Sequence, residues 1–235
     1  MKPRNRSLSG ALIAVVALPV FLGLVACLPG FPVPIGDPEK SHIDPAISGM
    51  WVAGGEDELS VWWFVPYDKR SWLMTWYVIE VDEDNCEPDA LPADTDFSSY
   101  QAIIEYAGEA GDECLVGSPV LAWKAWLTRL GGKLFLTLEN KTYYTPHDPT
   151  EDDWWLVYGI ELSNPDVIRF TEVNADAEVF ADLDEDEATR RQYEKILKKQ
   201  AKNPAIFSGE GVEMFRVQDA DIETLGGIAL EGFEL

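Results

Sequence analysis

Histidine is almost missing from this chain: His42 and His147 are the only two in 235 residues. Nucleophilic triads need an imidazole placed beside the nucleophile, and no Gly-x-Ser-x-Gly elbow, His-Glu-x-x-His helix or glycine-rich phosphate loop is present. With those motifs missing the chain reads as a non-enzyme; acids are too plentiful to mark any one pair of carboxylates, which leaves an acid-catalysed hydrolase with two facing carboxylates as a third option. Two acidic clusters could in principle gather a cation. One joins His147, Asp148, Asp152 and Asp153, and the other joins Asp182, Asp184 and Asp186. The second lacks the glycine and the final glutamate of a calcium loop, and both read as solvated turns, so no metal or cofactor is expected. Basic residues are also short, 18 lysines and arginines against 42 acids, for a net charge of −24. Such a surface repels nucleic acid phosphates and anionic lipid headgroups, and a polyanion-binding role is disfavoured. Beyond residue 25 no apolar run is long enough to cross a bilayer.

The one long apolar run is therefore informative. It extends from Leu8 to Val25 without a charged side chain, behind a basic start of Lys2, Arg4 and Arg6. That is the layout of a secretory signal, with a transmembrane anchor or a cut at another small residue as the alternatives. The run closes on Leu24-Val25-Ala26-Cys27, which resembles the lipobox of bacterial lipoproteins. The resemblance implies cleavage before Cys27, lipidation of Cys27 and a mature chain held on a membrane. With Leu28 following the cysteine, it implies the outer membrane, facing the periplasm. More loosely, the whole chain resembles an uncharacterised bacterial envelope lipoprotein. Cleavage would remove three bases and no acid, leaving 15 bases against 42 acids and a charge of −27.

Four segments follow: a signal peptide at 1–26, a lipidated cysteine with a tether at 27–45, one domain at 46–220 and a loose tail at 221–235. Residues 28–45 carry five prolines and two glycines, too broken for a helix or strand interior. They read as an extended spacer reaching about 55 Å from the membrane. Setting Cys27 aside leaves Cys86 and Cys114, which an exported protein is expected to join as a disulfide. A zinc site is the weaker rival, since no histidine lies near either cysteine.

From Ser48 onward, short runs of β-branched and aromatic residues alternate with turn residues. Strands are expected at 48–54, 58–66, 71–82, 119–130, 133–139, 153–162, 167–173 and 211–218. Gly131-Gly132 is a two-residue hairpin signal, because both positions can take positive φ. Two helices interrupt the pattern. Residues 96–107 place Phe97, Tyr100, Ile103, Ile104 and Ala107 on one face, with Ser98 and Gln101 spaced as a capping box. Residues 185–202 run from acids to bases and stop at Asn203-Pro204. The fold class is mainly β, an antiparallel meander of about eight strands closing into a barrel, since closure removes exposed edges. The short helix lies mid-chain and the longer one precedes the last strand.

Gly49-Met50-Trp51 on the first strand resembles the Gly-x-Trp signature of lipocalins, and Arg216 on the last could pack on that tryptophan as an arginine does there. The resemblance implies a lipocalin-like barrel. Trp62-Trp63 and Trp154-Trp155 point successive rings to opposite faces of a strand, so one ring of each pair needs a cover, a cavity mouth or a partner. The 185–202 helix and the disulfide loop are the expected cover. Trp72 and Trp76 share a face with Met74 and Val78, and Trp123 shares one with Leu121, Ala125 and Leu127.

Two functions follow. In the first, a membrane-tethered barrel binds a hydrophobic or amphipathic small molecule, with Trp51, Trp62, Trp76, Arg169 and Arg216 as candidate ligand contacts. Fatty-acid-binding barrels hold a carboxylate with interior arginines, although cross-strand pairing with Glu161, Glu172 or Glu213 would also account for these residues. In the second, a solid aromatic barrel contacts another envelope protein. The cysteines give an immediate test. Cys86→Ser should lower stability by about 3 to 4 kcal/mol on the chain-entropy model, read as a shift in thermal midpoint. Alkylation of the unreduced wild type should find no free thiol.

Overall fold

The computed structural model describes residues 30–55, 58–81, 97–110, 114–139, 154–184, 187–223 and 225. Its strands are β1 (Gly49–Gly54), β2 (Glu58–Pro66), β3 (Trp72–Val81), β4 (Leu115–Leu130), β5 (Lys133–Glu139), β6 (Trp155–Asn164), β7 (Val167–Glu172) and β8 (Val212–Arg216). They form a closed barrel in which each strand pairs antiparallel with its sequence neighbour and β8 returns to β1. The helices are α1 (Tyr100–Ala110) and α2 (Arg190–Gln200), the second lying before the last strand.

The hairpins at 67–71, 131–132 and 165–166 share one end, called lower here. The longer connections share the upper end. Gly131 and Gly132 have φ of 58° and 87°, as the two central positions of a primed turn require, and set Leu130 opposite Lys133. β4 is longer than the hydrophobic run suggested. A bulge near its middle moves the register from Trp76↔Leu121 to Tyr77↔Pro119, and a bulge tolerates a residue without an N–H.

The barrel closes through two residue pairs only, Trp51↔Arg216 and Val52↔Phe215. Arg216 reinforces this narrow seam. Its guanidinium lies 4.2 Å from the Trp51 ring centre and donates to the carbonyls of Ser48 (2.7 Å), Ala46 (2.5 Å) and Pro165 (3.0 Å). Gly49 has φ of 114°, and a Cβ there would come within 3.0 Å of the guanidinium. The glycine, the tryptophan and the arginine thus form one joint at the lower end, matching the packing that the lipocalin resemblance implied.

Inward positions alternate with outward ones on every strand. Trp51, Trp62, Phe64, Trp72, Met74, Trp123, Leu136, Ile168, Phe170 and Met214 are buried in the interior. Two outer clusters cover the wall. One sets α1 against Val52, Val61, Tyr77 and Ile79, with Trp63 packed on it, so α1 and not the 185–202 helix covers that tryptophan. The other sets α2 against Phe31, Phe135 and Val157.

Both helices start later than their patterns implied. In α1 the Ser99 hydroxyl accepts from the Ala102 amide (3.3 Å), while the Gln101 side chain turns to Glu105 (2.8 Å), so the cap is one residue beyond Ser98. In α2 the cap is Thr189, whose amide donates to the Gln192 side chain at 2.8 Å. The acids before it lie outside the helix, and only Lys198 and Lys199 in the last turn complement the dipole. Residues 221–223 and 225 are not loose: Tyr100 donates to Asp221, and Leu225 is fully buried against α1.

The largest correction concerns the expected spacer. Over residues 30–45 it lies on the barrel. Phe31 bridges to Trp155, and Phe31 and Ile35 are both 0% exposed. The Ile35 carbonyl accepts from Trp126 Nε1 (2.9 Å) and Thr137 Oγ1 (2.7 Å), and Ser41 Oγ accepts from the Leu127 amide (3.0 Å). Prolines exclude helix and ladder, but they also stiffen an extended strip on which Phe31, Val33 and Ile35 alternate, and that strip can be laid against a sheet. Phe31 packs edge-on to Phe180 at 5.6 Å and Tyr193 at 5.4 Å. Phe31→Ala should therefore cost about 3 to 5 kcal/mol in chemical denaturation. A solvated spacer residue would give no change.

Candidate functional site

The lower half of the interior is solid. Phe64 stacks on Phe170 (6.0 Å, 10°), and Trp72 meets Phe64 edge-on at 6.4 Å. Indole donors there are satisfied: Trp51 donates to the Ile47 carbonyl (2.8 Å) and Trp72 to Ser48 Oγ (2.9 Å).

Higher up the same wall this changes. Trp62 and Trp76 stand opposite each other on β2 and β3, both facing inward. Trp62 lies 4.8 Å from Phe170 and edge-on to Tyr158 at 5.5 Å. Trp76 stacks on Trp123 at 6.1 Å and 27°. Both indole Nε1 atoms are shut off from solvent and neither has an acceptor. A buried donor left unmet costs about 1 to 3 kcal/mol, and two neighbouring ones are an arrangement that packing alone does not select.

Facing them are Tyr158 on β6 and Glu172 on β7, paired in register. Glu172 is half-buried, and desolvation holds its carboxyl above the ordinary 4.5. Burial, with the nearby Glu172 charge, raises the Tyr158 phenol above the ordinary tyrosine range. No lysine or arginine among the described residues pairs with Glu172. Glu172, a possible partner of Arg169 by sequence, lies two residues beyond inward Phe170 and so faces inward with it, on the opposite face from Arg169. Counting by twos from Phe170 would have found it.

The candidate residues separate accordingly. Trp62 and Trp76 are at this upper site, while Trp51 is sealed under Arg216 at the lower end. Arg169 is on the outer wall, 3.0 Å from Glu213, so it is not an interior carboxylate clamp. Arg216 is a structural joint whose donors are engaged by carbonyls, and it cannot serve as one either. Cys27 and Cys86 lie outside the described residues, as do His147, Asp148, Asp152, Asp153 and Asp186. Cys114 is disulfide-bonded, and its pairing with Cys86 stands as a proposal. Among the described residues no three metal-ligating side chains come together.

An open groove of about 710 Å³ lies outside the barrel. It runs between the wall of β5–β7 and residues 201–210, with Arg129, Lys133, Glu161, Arg169, Lys202 and Phe207 on its sides. Lys133 spans it, 4.3 Å from the Phe207 ring centre and 2.9 Å from Glu161, and holds that carboxyl below its ordinary range. No family model, curated protein or solved structure matches the chain.

Glu172 gives a test by pH. Its proton is held more firmly in the folded state, so the native chain binds more protons and stability falls as pH rises from about 4.5 through the folded value. Glu172→Gln should remove that decline. The difference in thermal midpoint between variant and wild type should grow over this window and then level off. A constant difference would place the carboxyl in water.

Proposed function

We propose that this chain is a membrane-tethered envelope protein whose barrel holds the polar end of a small amphipathic molecule in its upper half. The observation that carries the reading is the pair of buried, unmet indole donors on Trp62 and Trp76. An acceptor oxygen brought to either indole would relieve that donor, a gain available only with the ligand bound. Aromatic faces of Trp62, Trp76, Trp123 and Tyr158 would pack the adjoining apolar part.

The chemistry of the wall narrows the ligand. With Arg169 and Arg216 both engaged elsewhere, no other cation paired with Glu172 among the described residues, and Glu172 nearby, an anionic head such as a fatty acid carboxylate is disfavoured. A neutral head with an acceptor oxygen, such as an amide, ester or alcohol, suits two donors best. The filled lower half limits the apolar part to a short chain or a ring. The alternative reading, a purely structural barrel contacting another envelope protein, is favoured by that solid lower half but leaves the two donors without purpose.

Three probes of equal chain length separate the possibilities: octanamide, octylamine and octanoate, followed by tryptophan fluorescence of the full chain. Octanamide should bind most tightly. Replacing Trp62 or Trp76 with benzothienylalanine, which keeps the ring shape and loses the N–H, should weaken octanamide about tenfold. The same change should leave the unliganded stability equal or higher. No spectral response to any probe, together with no copurifying small molecule in native mass spectrometry, would sink the carrier reading.

A further inference from the structure

The net charge of the chain conceals a local reversal. Of its 18 lysines and arginines, six lie between 190 and 202. On α2 and the residue pair after it, Arg191, Lys195, Lys198 and Lys202 recur at intervals of four, three and four, which is one helical face. All four are exposed. None forms an ion pair among the described residues, in a chain where acids outnumber bases more than twofold. The opposite face of α2 is fully committed: Tyr193 and Leu197 are buried against the barrel, and Glu194 with Arg190 is tied to the backbone of Gly36. The stripe is about 16 Å long at 1.5 Å per residue, and Lys202 carries it to the rim of the outer groove beside Arg129.

The attachment of the N-terminal segment says what this face meets. Its first buried residue, Phe31, packs on Tyr193 of α2 itself. Only three residues separate Phe31 from Cys27, a contour of at most about 14 Å, where the sequence pattern had suggested a spacer of about 55 Å. On the membrane-tethered reading, with the apolar run cut at the lipobox or kept as an anchor, residue 27 would be at the membrane surface. A leash of about 14 Å is longer than the 10 to 12 Å diameter of a helix and far shorter than the barrel, so it can let α2 lie between barrel and bilayer but cannot hold the domain away.

We infer that α2 is the membrane-facing side of the molecule and that Arg191, Lys195, Lys198 and Lys202 bind an anionic lipid surface. This rests on the membrane-tethered reading above. The stripe would then be the second signal beside the anchor, attracting anionic headgroups locally although the chain as a whole repels them. It would also fix how the barrel is turned with respect to the bilayer.

The test uses the full lipidated chain on two kinds of vesicle, pure phosphatidylcholine and phosphatidylcholine with about 30% phosphatidylglycerol, with salt varied to screen surface charge. Lysine acetylation is followed residue by residue. Lys195, Lys198 and Lys202 should be protected several-fold on the anionic vesicles only, while Lys40 and Lys69 react equally on both. Salt near 0.5 M should abolish the protection. Reversing the stripe with Arg191→Glu, Lys195→Glu, Lys198→Glu and Lys202→Glu should lower the preference for anionic vesicles at least about tenfold. Equal acetylation on the two vesicles would overturn the inference while leaving the anchor intact. A chain that floats with neither vesicle refutes anchor and stripe together. Flotation with anionic vesicles alone refutes the anchor and supports the stripe.

Discussion

The contact between the Arg216 guanidinium and the Trp51 ring is the one on which the rest of the structure depends. A closed barrel has no free edge, but here the closing seam is only two residue pairs long, too short to hold by ladder hydrogen bonds alone. Arg216 compensates by engaging three carbonyls from two chain segments while covering the indole face. Its three bonds to carbonyls are charge-assisted, and the indole face covers one side of the guanidinium. That joint fixes the lower end, and the lower end in turn lets the aromatic interior pack as a solid. In the upper half two indoles go unmet and a carboxyl is half-desolvated.

Around this barrel, the outer wall is used as fully as the interior. α1 covers one side, and α2 with the N-terminal segment covers another. The segment contributes Phe31 and Ile35 to the same cluster that buries Tyr193 and Leu197. Each large apolar side chain so buried stabilises the fold by about 1.5 to 3 kcal/mol, so a stretch that looks dispensable is part of the core. On the proposed membrane tether its docking would also set the orientation of the whole molecule, because a pinned segment transmits orientation and a free spacer does not.

Acidity has to be read in the same local way. Mean charge sets solubility and long-range repulsion, but a binding surface is felt within a Debye length of about 10 Å. A helix that turns its cations to one side and buries its apolar face creates a positive strip of that size. In the barrel interior the half-buried Glu172 carboxyl, unpaired with any cation among the described residues, matters more to the proposed ligand than the many acids in water outside.

The strand runs, the Gly131-Gly132 turn, the two helices and the antiparallel closure were legible in the sequence, because each depends on residues a few positions apart and on the period of two or 3.6. The pairing of Gly49, Trp51 and Arg216 was also within reach, as a pattern. Three things were decided only by the tertiary structure. Phe31 and Ile35 became core through contacts with α2 and with Trp126 and Thr137, far off in the chain, which composition cannot reveal. Strand register turned Arg169 to the outer wall, and Arg216, on the same face as Met214 and Trp51, was taken up by the seam at the lower end. Whether an indole N–H finds an acceptor depends on distances of a few tenths of an ångström across the barrel. Local periodicity determined what the elements are, and the closure of the sheet determined which side chains were left without partners.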